Sequence, residues 1–172
     1  DIFAKYNTSG MFYAHASVGT LHVRPVLNMK SDQDIKNMKC IAEEAFEMVK
    51  KYRGSHSGEH GDGIVRSEFH EKMFGKKIIS SFEQIKDSFD KKNLLNPHKI
   101  VRPFKSDDRS LMRYKSDYKA ENISTNYDWS SWGQFSDAVE MCNNNGACRK
   151  LDSGVMCPSY RVTKEEKDLV RG

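Results

Sequence analysis

The alternation of β-forming and smaller or polar positions over residues 11–26 predicts two short strands. The run is MFYAHASVGTLHVRPV, with Gly19 and Thr20 near its middle and Pro25 near its end. Strand-forming residues that flank a glycine in this way are typical of a hairpin. We therefore expect a turn around Gly19.

From Ser31 onward the apolar positions recur three and four residues apart, which is the period of an amphipathic helix. Ser31 and Asp34 have the spacing of an N-terminal capping pair, and Gly54 is typical of a helix end. The positions that share one face are Ile35, Met38, Ile41, Ala42, Ala45, Val49 and Tyr52. The sequence therefore predicts a long helix between Ser31 and Gly54.

Four glycines within residues 54–63, GSHSGEHGDG, interrupt any periodic pattern. Glycine adopts conformations that other residues avoid, so we expect a loop whose backbone can bend tightly around a ligand. Two helices are predicted after this loop, at Ile64–Phe74 and at about Lys76–Phe89. The apolar residues of the second helix fall on one face, at Ile78, Phe82, Ile85 and Phe89.

The composition of the chain changes after residue 104. Residues 105–132 are rich in Ser, Asp, Lys, Arg and Tyr with little apolar periodicity, as in a linker wrapped over a surface. Residues 133–172 combine a short helical stretch near Phe135, a cysteine-rich segment and a final helix that starts at Thr163. We predict an α+β domain at 1–104, a linker at 105–132 and the start of a small helical domain at 133–172.

Composition and charge exclude several classes of protein. The 172 residues are 37% hydrophobic and 30% charged, with a net charge of +4. This charge is small and evenly spread, so it does not indicate nucleic-acid binding. No apolar run reaches the ~20 residues of a membrane helix, and no signal peptide is recognisable. We expect a soluble, cytoplasmic piece of a larger protein, which leaves self-association through surfaces bared by truncation possible.

Four residues have side chains suited to one divalent metal. His15 and His22 lie on the two predicted strands, and Glu59 and His60 lie in the glycine-rich loop. A borderline metal takes imidazole nitrogen and carboxylate oxygen, and a catalytic site leaves one position open. From the spacing alone, ordinary half-buried strand histidines and a solvated loop are the better explanation, because H-x6-H is not a specific signature.

Three of the four cysteines, Cys142, Cys148 and Cys157, crowd into one loop-rich segment with the spacing C-x5-C-x8-C-P. Such clustering in a chain without a secretion signal favours metal binding over disulfides. Zinc and iron–sulfur ligation both stay open on these residues alone. Cys40 stands alone in a helical pattern, where a cysteine is usually a small core residue.

Three ordered motifs resemble a known family. They are YAHASVGTLHVRP, SGEHGDGIVR and FDKKNLLNPHKIV, which together span about the first hundred residues. This order is similar to the C-terminal domain of FAD-linked D-lactate, glycolate and D-2-hydroxyglutarate dehydrogenases. Three motifs in sequence are far more specific than one. The resemblance implies the C-terminal half of the substrate, or cap, domain of such an enzyme, with FAD bound mainly by a domain upstream.

The resemblance also implies roles for the candidate metal ligands. His15, His22 and Glu59 correspond to the family's ligands of a divalent metal, which could be Zn, Mn or Fe. His60 corresponds to the histidine that faces the substrate and is the candidate base. The reaction implied is oxidation of a D-2-hydroxy acid to the 2-oxo acid, with hydride passing to FAD.

Arginine and asparagine side chains are candidates for contacts with substrate and flavin. Arg24 and Arg66 could hold a substrate carboxylate bidentately, although surface salt bridges explain them equally well. Asn96 matches the family's N-P-G-K ending, which lies near the flavin, but a helix-ending turn also explains it. His98 stands where the family usually has glycine, and AHASVGTLH replaces the common G-H-x-G-D-G-N-x-H. Because of these departures, the motifs do not identify the side chain of the substrate.

The cysteine segment is similar to the iron–sulfur segment of large fused flavin dehydrogenases. Cys142, Cys148 and Cys157 would then be ligands of a 4Fe-4S cluster whose fourth ligand lies outside this sequence. Electrons would pass through that cluster to an acceptor that the sequence does not identify. The alternative is a zinc-stabilised module without catalytic activity that binds RNA or protein through basic residues and tyrosines in 102–119.

Overall fold

The computed structural model describes residues 2–121, 123–143, 145–154 and 156–169. The strands are β1 (Gly10–His15) and β2 (Thr20–Pro25), and the helices are α1 (Ile2–Lys5), α2 (Asp32–Lys51), α3 (Gly63–Arg66), α4 (His70–Phe74), α5 (Lys76–Phe89), α6 (Phe135–Glu140) and α7 (Pro158–Thr163). The chain forms two compact units, Asp1–Tyr118 and Lys119–Gly172. A small sheet combined with helices confirms the predicted α+β class.

The predicted hairpin is present. Strands β1 and β2 pair antiparallel, with Tyr13 opposite His22 and His15 opposite Thr20. Residues directly opposite each other share a face of the sheet, and so do residues two apart along one strand. His15, Tyr13, His22 and Arg24 therefore project from the same face, and this register gives the two histidines a common direction.

Helix α2 confirms the predicted amphipathic helix and its cap. The hydroxyl of Ser31 accepts a hydrogen bond from the backbone N–H of Asp34 at 3.3 Å, which satisfies one of the free donors of the first turn. Ile35, Ile41 and Phe46 are the buried residues of the helix. The buried apolar side chains of the first unit are Phe3, Ile35, Ile41, Phe46, Phe69 and Val101.

The helix predicted at Ile64–Phe74 is broken, which corrects the prediction. A 3₁₀-helical turn at Ser67–Phe69 separates α3 from α4. The Ser67 hydroxyl donates to the carbonyl of Gly63, four residues earlier, and such bonds often bend a helix. The same hydroxyl accepts from the N–H of Ile100 at 3.1 Å. Ser67 therefore links this bend to the segment that follows α5.

Replacing Ser67 with alanine should lower the free energy of unfolding by about 1–3 kcal/mol, because two hydrogen bonds worth about 0.5–1.5 kcal/mol each are lost. Urea denaturation followed by circular dichroism would measure the change. Ser81→Ala is the control, because the exposed Ser81 hydroxyl makes only the equivalent bond to Lys77, at 3.1 Å. Equal losses in the two variants would contradict a special role for Ser67.

Helix α5 has the predicted bounds, but its apolar face is largely exposed. The exposed fractions of Ile78, Ile85 and Phe89 are 44%, 58% and 88%. Phe82 is half-buried, and its ring lies 6.4 Å from that of Phe74. The periodicity thus predicted the helix correctly, although this unit covers only part of the face.

Asp90 closes the turn after α5. Its carboxylate accepts hydrogen bonds from the N–H groups of Leu94 and Leu95 at 2.9 and 2.8 Å. It also accepts one from the ammonium group of Lys86 at 2.6 Å. These donors, Lys86 first, lower the pKa of Asp90 from 3.8 to about 2.

The carboxylate of Asp90 should make stability depend on pH in the acid range. Because its pKa is lower in the folded chain, its contribution is complete above pH ~4 and disappears as the pH falls from ~4 to ~2. We expect Asp90→Asn to be less stable at neutral pH and to lose this part of the pH dependence. The measurement is the urea midpoint as a function of pH, with the exposed Asp117→Asn as control. Parallel curves for wild type and Asp90→Asn would contradict the prediction.

Residues 105–118, the first part of the predicted linker, lie in the first unit. The ammonium group of Lys39 lies 2.6 Å from a carboxylate oxygen of Asp107. The N–H of Ser106 donates to Glu68 at 2.9 Å, and the guanidinium of Arg109 donates to the carbonyl of Met29 at 2.7 Å. The division between the units falls inside the range predicted as linker, 105–132.

In the second unit α6 occupies the predicted position, but the final helix does not. The helix predicted to start at Thr163 instead ends there, because α7 runs over Pro158–Thr163. Proline suits the first turn of a helix, and Lys164 has a positive φ of 60°, which terminates it. Within the described residues of the chain, no helix is both long enough and apolar enough to cross a membrane.

Candidate functional site

Two histidines of the hairpin meet a glutamate of the glycine-rich loop. Atom Oε1 of Glu59 lies 3.2 Å from Nε2 of His15 and 3.2 Å from Nε2 of His22. The two imidazole rings are 5.0 Å apart between centroids, at an interplanar angle of 71°. Side chains from residues distant in sequence therefore converge on one point.

Gly58 allows the loop to approach the hairpin this closely. A Cβ atom at Gly58 would lie 2.7 Å from Cγ2 and 2.8 Å from Oγ1 of Thr20. These distances are shorter than van der Waals contact, so a larger residue would push the loop away from β2. Glu59 follows directly and is thereby held against His22.

The ligand atoms of His15, His22 and Glu59 fit a divalent cation. They lie within 4.8 Å of one another and comprise two imidazole nitrogens and one carboxylate oxygen. Among the described residues, buried Nε2 of His22 finds no hydrogen-bond partner, although Oε1 of Glu59 lies 3.2 Å away. A buried polar atom without a partner is costly, and a cation at this point would satisfy it. The donor set is the one that zinc and related metals use in catalytic sites.

The same geometry keeps Glu59 in the carboxylate form that binds metals. Burial raises the pKa of Glu59, but the hydrogen bond from His60 and the nearby charges of His15 and His22 outweigh it, so the pKa is lowered. The ionised carboxylate is the form in which a glutamate binds a metal.

His60 lies next to the ligand group but is open to solvent. Its Nε2 is 3.0 Å from Oε1 of Glu59, and its side chain is 64% exposed. The side chain of His22, by comparison, is 17% exposed. His60 is therefore beside the three ligands in a position that a small molecule can reach.

The two candidate arginines lie in different surroundings. The guanidinium of Arg24 lies over the ring of Tyr13 at 4.9 Å, and that ring stacks on His22 at 4.4 Å. Arg24 thus belongs to the same face as the ligand group. Arg66, on α3, instead acts electrostatically on His56, whose pKa it helps to lower. Asn96 is exposed in the turn after α5, where its side-chain oxygen accepts from Lys99 at 3.3 Å.

Sequence reasoning missed a second group of possible ligands, His56, Asp62 and His70. Their ligand atoms also lie within 4.8 Å of one another. Two of the three are in the glycine-rich loop beside Glu59, so the signal was the additional histidine and aspartate in GSHSGEHGDG. Only the fold reveals that α4 brings His70 to them.

The three clustered cysteines occupy different environments in the second unit. Cys142 is exposed, Cys148 is half-buried and Cys157 is buried. Cys157 has a φ of 48°, in the left-handed region, directly before Pro158. Among the described residues, two groups of side chains have metal-binding atoms within 4.8 Å of one another, and neither group contains one of these thiols. A cubane cluster binds each thiolate to a different iron atom, so its ligands need not be that close.

Most of the chain is similar in sequence to known FAD-linked dehydrogenases. The family profile described as "FAD linked oxidases, C-terminal domain" matches residues 1–100. A D-2-hydroxyglutarate dehydrogenase of Pseudomonas putida is 36% identical over 164 residues, 95% of this chain and 16% of that relative. A D-2-hydroxyglutarate dehydrogenase of Haemophilus influenzae is 38% identical over 156 residues, which are 90% of this chain and 15% of that relative. No solved structure matches the chain.

The extent of the similarity differs between relatives. A glycolate oxidase subunit GlcD of Bacillus subtilis is 31% identical over 100 residues, 58% of this chain and 21% of that relative. The two D-2-hydroxyglutarate dehydrogenases match over 164 and 156 residues, more than the 118 of the first unit. Their similarity therefore reaches into the second unit. The chain spans about one sixth of the length of these two relatives.

Proposed function

Because this chain belongs to the family of FAD-linked oxidases, whose C-terminal domain it contains, we propose that the protein oxidises a D-2-hydroxy acid to the 2-oxo acid. D-2-hydroxyglutarate is the first substrate to consider, since the relatives that match over most of the chain are named for it. D-lactate and glycolate follow from the other relatives. The observation that carries the proposal is the convergence of His15, His22 and Glu59.

In the proposed reaction, His15, His22 and Glu59 hold a divalent cation, and each contributes one atom. When bound, such a cation would stabilise negative charge on an oxygen that loses its proton, and a bound flavin would supply the acceptor for the hydride on C2. His60, whose ring lies beside the ligand group with Nε2 3.0 Å from Oε1 of Glu59, is the candidate base for the hydroxyl proton. Loss of that proton and of the hydride converts the hydroxyl carbon to a carbonyl.

Arg24 is the better of the two arginines for binding the substrate's carboxylate. A guanidinium binds a carboxylate through two parallel hydrogen bonds, and that of Arg24 lies over the ring of Tyr13, on the same face of the hairpin as His15 and His22. Arg66 stays a weaker candidate because its positive charge acts on His56, whose pKa it helps burial to lower. Asn96, in the turn after α5, remains a candidate contact to the flavin.

We further propose that Cys142, Cys148 and Cys157 are ligands of a 4Fe-4S cluster that receives electrons from the flavin. Support comes from the match to D-2-hydroxyglutarate dehydrogenases, which reaches into the second unit. Before the second cysteine, the side-chain oxygen of Asn145 accepts a hydrogen bond from the N–H of Ala147 at 2.9 Å. A fourth ligand has to come from outside this set of three.

Anaerobic flavin reduction tests the proposed activity. The protein expressed from its complete reading frame should be yellow, and its absorbance near 450 nm should bleach on addition of D-2-hydroxyglutarate, D-lactate or glycolate. The L enantiomers of the first two acids are the controls and should leave the spectrum unchanged. Bound flavin that none of these acids bleaches would refute the proposed activity.

Electron paramagnetic resonance tests the cluster separately. Dithionite-reduced protein should show the signal of a reduced cluster, and Cys157→Ser should lose it, because an oxygen ligand replaces the buried thiolate. Cys40→Ser is the control and should retain the signal. Zinc bound in place of iron, with no paramagnetic signal, would contradict the cluster but not the flavin chemistry.

A further inference from the structure

A second group of metal-binding side chains lies in the first unit, separate from His15, His22 and Glu59. It consists of His56 and Asp62 in the glycine-rich loop and His70 at the start of α4. Nε2 of His70 lies 2.8 Å from Oδ2 of Asp62. Nε2 of His56 lies 3.9 Å from the other carboxylate oxygen, Oδ1. The carboxylate therefore lies between two imidazole nitrogens.

The hydrogen bonds of His70 leave a lone pair facing this carboxylate. Nδ1 of His70 is 3.4 Å from the carbonyl oxygen of Ile100, which can only accept, so Nδ1 carries the proton. In a neutral ring, Nε2 is then unprotonated and faces Asp62 at 2.8 Å. Two electron-pair donors this close need a proton or a cation between them. Metal-bound histidines commonly donate their other N–H to a backbone carbonyl in this way.

His56 is the least satisfied residue of the group. Its side chain is 6% exposed, and neither ring nitrogen has a hydrogen-bond partner in the part of the chain that the structure describes. Oδ1 of Asp62, which His56 faces, is also buried without a partner. Aromatic rings enclose the imidazole: its centroid is 5.3 Å from that of Phe46 and 6.0 Å from that of Phe74. Polar atoms buried among aromatic rings need partners, and here they point toward each other.

The chemistry of the three side chains fits a metal site. Two imidazoles and one carboxylate are a ligand set that zinc takes, and their ligand atoms lie within 4.8 Å of one another.

We propose that His56, Asp62 and His70 bind a second divalent cation of the zinc type. This cation joins the glycine-rich loop to α4 and so holds in place the segment that carries Glu59 and His60. With side chains of 6%, 20% and 3% exposure, the site is more enclosed than the first group and suits a structural ion. The proposal does not depend on the proposed reaction. The alternative is an imidazolium–carboxylate pair between His70 and Asp62 beside a neutral His56.

Zinc stoichiometry distinguishes the two readings of this group. The protein from its complete reading frame, with Cys142, Cys148 and Cys157 changed to serine in every sample so that they hold no zinc, is loaded with Zn²⁺ and dialysed and should contain two equivalents by mass spectrometry. His22→Ala and His56→Leu should each retain one, and the double variant none. His98→Leu replaces a histidine outside both groups and should retain both equivalents. Equal zinc contents in wild type and His56→Leu would overturn the proposal.

The two proposed sites fail in different ways in this experiment. If only the second site binds, the wild type contains one equivalent, which His22→Ala leaves and His56→Leu removes. If only the first site binds, the wild type contains one equivalent, which His56→Leu leaves and His22→Ala removes. The present proposal is then wrong. Should His56→Leu fail to fold, Asp62→Asn removes the carboxylate charge with little change in shape and should lose the same equivalent.

Hydrogen exchange gives a local readout that does not depend on activity. In the His22→Ala background, a chelator should accelerate amide exchange in residues 54–63 at least about tenfold, because the loop loses its anchor to α4. In His22→Ala/His56→Leu, the chelator should have no effect. Helix α5 serves as the internal reference. Exchange in 54–63 that ignores the chelator in His22→Ala would contradict a structural cation.

Discussion

Replacing His22 with alanine should remove the first metal and lower kcat/KM for the D-2-hydroxy acid by at least about a thousandfold. This corresponds to about 4 kcal/mol of transition-state stabilisation, which is the range expected for loss of a charge-stabilising metal. His22 is the most buried of the three ligands, with 17% side-chain exposure against 49% for His15 and 37% for Glu59. Water should therefore replace His22 as a metal ligand less easily than it replaces His15 or Glu59. Metal analysis and steady-state kinetics on the same preparation would measure both effects.

Two controls separate loss of the metal from loss of structure. His98→Ala removes a histidine that belongs to neither ligand group and should leave the metal content unchanged. Tyr13→Leu removes the ring stacked on His22 but no ligand, so it should retain the metal. A His22→Ala protein with wild-type metal content, or with full activity, would rule out the proposed role of this cluster.

The hairpin and α2 could be predicted because their determinants are local. Alternating β-formers around Gly19 predict two strands, and the capping pair Ser31 and Asp34 lies within one turn of α2. The break between α3 and α4 could not be predicted. It depends on Ser67, whose hydroxyl bonds to Ile100, 33 residues later in the chain. Periodicity contains no information about such a partner.

The candidate site, too, could be predicted from the sequence only in part. The motif resemblance supplied His15, His22 and Glu59 as a ligand set, and the fold brings their ligand atoms within 4.8 Å. The means of their approach, Gly58 against Thr20, depends on contact between two distant segments. Glycine is so frequent in this loop that its special position could not be singled out from the sequence.

The second ligand group shows the limit of motif reasoning most clearly. The resemblance directs attention to Glu59 and His60, and the neighbouring His56 and Asp62 then pass as loop residues. Their significance comes from burial and from missing hydrogen-bond partners, which are properties of the folded chain. His70 joins them from α4, where the sequence predicted only helix.

His60→Ala should lower kcat by about 10²–10⁴-fold, the usual contribution of a general base, and leave the metal content unchanged. The prediction follows from its position: Nε2 lies 3.0 Å from Glu59, while the side chain is 64% exposed. It is therefore close enough to the proposed substrate site to take a proton and open enough to be replaced by a solute. Steady-state kinetics and metal analysis would measure the two effects.

Chemical rescue distinguishes a base from a ligand. Added imidazole should restore part of the rate in His60→Ala, because the open position left by this side chain admits a small base. It should restore nothing in His22→Ala, where the missing group is a buried metal ligand with 17% exposure. Loss of the metal in His60→Ala would instead identify His60 as a fourth ligand. A rate unaffected by the substitution would exclude it as the base and leave proton removal to a group outside this cluster.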